Sequence, residues 1–362
     1  MSPKITQIDV SAYTIPTDFP EADGTFEWDS TTIVIVEVHA GGQTGLGFTY
    51  GDLSAARIVD RKLSQFILGQ DAMAIAGSWM KMLRSVRNLG RPGVASHAIA
   101  AVDVALWDLK ARLFGIPLLS LLGNTRVGIP VYGSGGFTSY SLEQLQAQLS
   151  GWVERGIRMV KIKVGANPSE DVERVRSARA AIGAKAELFV DANGAYSRKQ
   201  AIGLAEQFTA QGVTWFEEPV SSDDLEGLSL IRDHAPDGMD IAAGEYGYDS
   251  TYFRRMLEAE AVDVIQVDAT RAAGISGFLA ASALADAFHT ALSAHTAPSI
   301  HAHVCCAVPA ARHLEYFHDH VRIEQMLFDG VLHPVNGYLY PDLSRSGMGL
   351  ELKRADAVRY AA

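Results

Sequence analysis

The chain of 362 residues has only two cysteines, and they are neighbours, Cys305 and Cys306. Adjacent cysteines do not staple a fold together, so an apolar core must hold it, and a reducing, cytoplasmic setting is expected. Long apolar runs are also missing. The Ala/Gly-rich stretch 272–285 is short and is followed by Asp286. The N-terminus MSPKITQIDV alternates apolar and polar residues and lacks the apolar core of a signal peptide. No membrane span or secretory leader is therefore expected. Positive charge is in deficit: 31 Lys and Arg against 42 Asp and Glu give a net charge of −11. That balance argues against a nucleic-acid partner and against docking on anionic membranes. No GxGxxG follows a first strand, which leaves an open doubly wound dinucleotide-binding sheet without its usual support.

What is present falls into three parts. Residues 1–122 read as α+β. Strands come first, with TTIVIVEVHA, a Gly41-Gly42 turn and QTGLGFTYG forming a hairpin. Helices follow, one of them spaced through Val102, Leu106, Leu109 and Leu113 and stopped by Gly115. Between the first strand and the hairpin lies PTDFPEADGTFEWDS, 16–30, polar and punctuated by Pro and Gly but carrying Phe19, Phe26 and Trp28. It reads as a loop, either solvated over the core or acting as a lid over a site. From 123 to 325 strands alternate with helices, eight strands over roughly 200 residues, beginning with GIPVYGSGG and a helix capped by Ser141 and Gln144. Strict alternation implies parallel strands, and eight such units suit a TIM-type barrel. Residues 326–362 return to loops and short strands and are expected to pack back on the first part.

In such barrels chemistry sits at the C-terminal ends of the strands. Strand two ends in Lys161-Ile162-Lys163, strand three in Asp191 and Asn193, strand four in Glu217 and Glu218, strand five in Glu245, strand six in Asp268, strand seven in His295 and strand eight in Glu315. One buried acid is usually a structural ion pair, but seven titratable strand ends in register point to a site. Asp191, Glu217 and Glu245 fall on consecutive strands about 4.8 Å apart. Carboxylates that close need a counter-charge, either the two lysines in a salt-bridge network or a cation. An oxygen-only set favours Mg²⁺ over zinc. The string HAHVCC, 301–306, has zinc-like composition but lies on an expected helix without a second cluster, and reads as structural. Beside a second ammonium and a divalent cation, Lys163 is expected to lose its proton more readily and act as a base, with Lys161 as an electrostatic partner. Opposite, Asp268 would fix the tautomer of His295 and support its charged form.

The ordered set KIK 161–163, DAN 191–193, EEP 217–219, GE 244–245, Asp268, His295 and Glu315, together with DVALWDLKAR 103–112, resembles the enolase superfamily and, within it, the mandelate racemase subgroup. The resemblance spans nearly the whole chain. It implies an α+β capping domain made from both chain ends over a modified (β/α)₇β barrel, with Mg²⁺ held by Asp191, Glu217 and Glu245. It also implies abstraction of the proton α to the carboxylate of a small substrate, giving an enediolate. Lys163 would serve one face and the His295–Asp268 pair the other, with Lys161 and Glu315 steadying the enediolate oxygens. Asn193, Trp28 and Tyr50 are candidate substrate contacts. The implied reaction is dehydration of a sugar acid, with racemisation or epimerisation of a 2-hydroxy acid as the alternative. A homo-oligomer between dimer and octamer is implied as well. Arg271 stands where several relatives carry lysine, and its role is left open.

Overall fold

The computed structural model describes residues 2–362. Three antiparallel strands, β1 (Ile5–Ala22), β2 (Glu27–Ala40) and β3 (Gln43–Tyr50), form a meander in that order. One face of this sheet packs on the helix Val94–Phe114, which is buried along most of its length. Contact is backbone-close because β3 presents Gly45 and Gly47 to Ala101 and Ala105; a Cβ at either glycine would collide with the helix carbonyls. The helix ends as its sequence predicts, with Gly115 in the left-handed conformation at φ 67°.

Residues 16–30 are not the loop the sequence implied. β1 runs to Ala22 and β2 starts at Glu27, so only the turn between them is irregular, with a register shift between Pro16 and Glu21. Pro16 and Pro20 read as breakers, yet β1 is an edge strand and needs no donor on its free side. The polar sequence reflects what these arms face, a cavity rather than a core.

Eight parallel strands follow: β4 (Ile129–Gly135), β5 (Met159–Lys163), β6 (Glu187–Asp191), β7 (Val213–Glu217), β8 (Asp240–Ala243), β9 (Val264–Val267), β10 (Ala291–Ala294) and β11 (Ala311–Phe317). β11 pairs with β4 and closes the barrel. Seven helices link them, the first capped reciprocally by Ser141 and Gln144. Inside the barrel, Tyr132, Phe189, Trp215 and His313 pack ring against ring with centroids 5.0–6.3 Å apart. This aromatic floor, with Ser293 bonded to His313 at 2.9 Å, fills the barrel beneath the titratable groups of the C-terminal mouth.

The segment after 326 divides its contacts. Tyr338–Leu339 adds an antiparallel strand to β4, while Ala361 bridges to Tyr13 and Arg354 pairs with Glu37 of the meander. No helix among the described residues is long and apolar enough to cross a membrane.

Candidate active site

The barrel mouth collects every strand-end residue singled out in the sequence. Asp191, Glu217 and Glu245 each offer a carboxylate oxygen, and these oxygens lie within 4.8 Å of one another. All three side chains are buried. Their placement follows from register: Lys163, Asp191 and Glu217 are successive cross-strand partners on β5, β6 and β7. Just past the strand ends the chain bends through left-handed non-glycine residues, Asn193 (φ 47°), Glu218 (φ 40°) and Thr296 (φ 52°). Such strain concentrates where a side chain must be aimed rather than merely packed.

The two lysines share a face, as the i, i+2 spacing requires, but their surroundings differ. Lys161 is fully buried, with Nζ 2.5 Å from Glu217, 2.9 Å from Glu315 and 3.3 Å from Asp191. It also sits over the Tyr132 ring at 5.4 Å. Lys161 therefore neutralises the acids from below and does not line the cavity, whereas Lys163 does. Lys163 Nζ is 2.5 Å from Asp191. Burial disfavours its charge most, yet Asp191, Glu245 and Glu217 together outweigh it and hold the ammonium above the usual lysine range. The depression expected from the sequence presupposes a divalent cation alongside; against protein groups alone, the acids decide the sign.

On the far side His295 Nδ1 is 2.9 Å from Asp268, and Nε2 is 3.0 Å from Glu245 and 3.7 Å from Glu315. Burial opposes its charge, but Glu245 and the bond to Asp268 raise it to about 9. Asp268 is further pinned by Thr270, whose N–H and hydroxyl both donate to it at 2.7 Å. Arg271 is placed against the same acids, 3.4 Å from Glu245 and 3.6 Å from Asp268, with its guanidinium over the Tyr246 ring. His301, from HAHVCC, accepts from the Ala269 N–H and donates to the Thr296 carbonyl, tying the loops after β9 and β10 together. Cys305 and Cys306 are free and buried.

The cavity in front of these groups has a volume near 350 Å³. The barrel supplies Lys163, Asn193, Glu245, His295 and Glu315; the meander supplies Trp28 and Tyr50. Asn193 Oδ1 has no protein partner. Sequence reasoning missed Thr31, Thr32, Tyr246, Thr296 and His320, which also line it. Thr31 and Thr32 were hidden in a β-branched run that reads only as strand. Glu218, the second acid of EEP, stands at the strand end in the sequence without a role: it is buried, Oε1 has no partner, and burial beside Glu245 raises its carboxyl well above the ordinary range.

The hairpin tip is docked. Thr138 donates from N–H to the Ala22 carbonyl and from its hydroxyl to the Asp23 carbonyl, and Ser139 donates to the Pro20 carbonyl. Gly24 lies so close to the carbonyls of Val164 and Ala192 that any Cβ would strike both. Trp28 packs edge-on against Phe137 at 5.6 Å and donates to Glu21 at 2.8 Å. Trp28→Ala should lower kcat/KM on the order of tenfold by opening one wall to water, with a smaller loss of thermal stability than a core aromatic deletion. Steady-state kinetics beside a melting curve check this; a stability loss of core size would reassign Trp28 to packing.

Glu21 gives a pH test of the same hairpin. Burial, then the facing charges of Asp319 and Asp18, push its carboxyl from 4.5 up to about 9. The folded state therefore holds a proton that the unfolded chain releases, so this contribution is full below the unfolded value and is lost as pH rises towards 9. Glu21→Gln should flatten the fall in Tm between about pH 6 and about pH 9; an unchanged slope would show that Glu21 does not titrate there.

The family model described as "Enolase C-terminal domain-like" matches residues 144–357, and the "Mandelate racemase / muconate lactonizing enzyme, N-terminal domain" matches 14–123. The chain is 34% identical over 291 residues to the L-talarate/galactarate dehydratase of Salmonella typhimurium, covering 79% of this chain and 73% of the relative. A solved mandelate racemase/muconate lactonizing enzyme-like protein from Rubrobacter xylanophilus is 53% identical with a TM-score of 0.98, covering 99% of this chain and 100% of that one. L-talarate dehydratase from Polaromonas sp. JS666, complexed with Mg and L-glucarate, superposes with a TM-score of 0.90 at 29% identity, covering 100% and 98% of the two chains. A closed barrel with three acids on consecutive strands, a lysine pair on one side and a His–Asp pair on the other, under a cap that both chain ends touch, is thus matched over both domains: the chain belongs to the mandelate racemase/muconate lactonizing enzyme family of the enolase superfamily.

Proposed function

We propose that this protein is a Mg²⁺-dependent hydro-lyase that dehydrates a sugar acid. The observation that carries this reading is the pair Lys163 and His295, which face one cavity from opposite sides of a buried three-carboxylate cluster. The donor set fits the metal: three oxygen ligands, crowded within 4.8 Å, are a poor arrangement for three free charges and a suitable one for a hard cation. Bound there, Mg²⁺ would supply the positive charge that stabilises the developing enediolate and offsets the acids around Lys163.

The chain's own groups account for the proton movements. Lys163, once neutral, takes the proton from the carbon α to the substrate carboxylate, and the C–H electron pair passes into the enediolate. His295, held as imidazolium by Asp268, gives its Nε2 proton to the departing 3-hydroxyl from the other face. The C–O bond breaks, water leaves, and the enol becomes a 2-keto-3-deoxy acid. Glu315, 2.9 Å from Lys161, sits where it can steady the substrate carboxylate. Lys161 acts through the acids it neutralises rather than on the substrate directly. The names of the relatives, acid-sugar dehydratases among them, support dehydration. Incubation with Mg²⁺ and a panel of sugar acids should yield a keto product trapped by semicarbazide. A change of optical rotation with no keto product would replace dehydration by racemisation or epimerisation.

A further inference from the structure

Resting on that reading, we infer that the substrate is a monocarboxylic sugar acid, an aldonate ending in a hydroxyl, rather than an aldarate diacid such as those named for the talarate/galactarate relatives. The reacting carboxylate belongs at the barrel mouth, beside the three acids and Lys163. The remainder of the substrate then runs towards the hairpin. Six hairpin residues line that end: Asp23, Phe26, Trp28, Ser30, Thr31 and Thr32. Phe26 and Trp28 stack nearly parallel, at 13° and 6.2 Å, and offer a flat apolar wall to the C–H edge of a carbon chain. The three side-chain hydroxyls are neutral; Ser30 donates to Asp29 and Thr32 shares one bond with Thr14, which leaves each of these two with acceptor capacity. The one charged residue is an acid. Asp23 spends Oδ1 on the N–H groups of Thr25 and Phe26, which fixes the carboxylate at the turn.

A second substrate carboxylate at this end would face Asp23 with no cation from the hairpin, and a buried charge without a partner is disfavoured. The other cationic and imidazole groups lining the cavity are otherwise engaged. Lys163 and His295 serve the reacting carbon. Arg271 is matched by Glu245 and Asp268. His320 accepts from the Ala297 N–H, stacks on Tyr50 at 3.4 Å, and is held neutral by burial beside His295. Among the described residues, none lining this cavity is left as an unmatched cation for a distal carboxylate. A neutral hydroxyl can donate to Asp23 or to the wall hydroxyls without that cost.

The test pairs each aldonate with the aldarate of the same hydroxyl configuration, using the Mg²⁺-loaded protein. Two readouts are followed: exchange of the α-proton in D₂O and release of the keto product. The best aldonate should exceed its aldarate partner in kcat/KM by about tenfold or more. Asp23→Asn keeps the turn acceptor and removes the charge; it should narrow that ratio by raising the aldarate. Equal or better turnover of aldarates overturns the inference while the proposed function stands. So does a preference that Asp23→Asn leaves unchanged, since the wall charge would then not be its cause. Absence of α-proton exchange with either class overturns the proposed function, and this inference with it.

Discussion

Lys163→Ala is expected to lose exchange of an α-proton presented on its own face by about 10²–10⁴-fold, while the epimeric substrate still exchanges through His295. His295→Asn should show the reverse pattern. The asymmetry follows from separate supports: Lys163 leans on Asp191 across β5 and β6, whereas His295 leans on Asp268 and Glu245 from β10, β9 and β8. Removing one leaves the other's partners in place. Lys161→Ala should slow both faces, because it strips positive charge from Glu217, Asp191 and Glu315 together. It should also lower stability, since buried acids are left closer to unpaired. Exchange in D₂O, followed by NMR for two α-epimers that both bind, separates these outcomes. Equal slowing of the two epimers in Lys163→Ala would remove it as a face-specific base.

Chelation should bring turnover down to background, and Mg²⁺ should restore it. Glu217→Gln is expected to weaken Mg²⁺ binding by at least about 100-fold, since it removes a direct ligand charge where even outer partners matter at 10–100-fold. The amide keeps an acceptor for Trp215 Nε1, which donates to Glu217 at 3.0 Å, so the barrel should still close. Because Glu217 is fully buried and paired with Lys161, a lowered Tm is expected as well. Titration of Mg²⁺ by calorimetry, with circular dichroism to follow the fold, reads the two effects separately. Full activity after exhaustive chelation would end the metal assignment.

The barrel was legible in the sequence because parallel strands flanked by helices leave a regular grammar, and because titratable residues at strand ends break an otherwise apolar pattern. Asp191, Glu217, Glu245, Asp268 and His295 stand out for that reason. Glu218 stands beside them in the sequence without a role, because its aim depends on a left-handed backbone turn that no spacing reveals. The hairpin was misread as a loop because strand periodicity reports burial on one face, and these arms bury polar groups towards a cavity. The ionisation of Lys163 is not legible in the sequence, because its sign depends on whether acids or cations lie nearest, a matter of ångströms rather than of sequence order. His320 lies in the helix His318–Leu327 and Thr296 on the turn after β10, where only the folded chain shows what they face.

Gly24 anchors the hairpin through backbone contact with Val164 and Ala192, one residue beyond Lys163 and one beyond Asp191. The seat is defined by the lack of a side chain at residue 24, and its closest contacts are to backbone carbonyls of the barrel. On the proposed function, the proton-moving groups all stand at the strand ends of the barrel, while part of the recognition surface stands on this ribbon. Descendants of such a molecule can drift from one hydroxy acid to another by rewriting a single turn and its flanks, while the groups that move protons are carried forward unaltered.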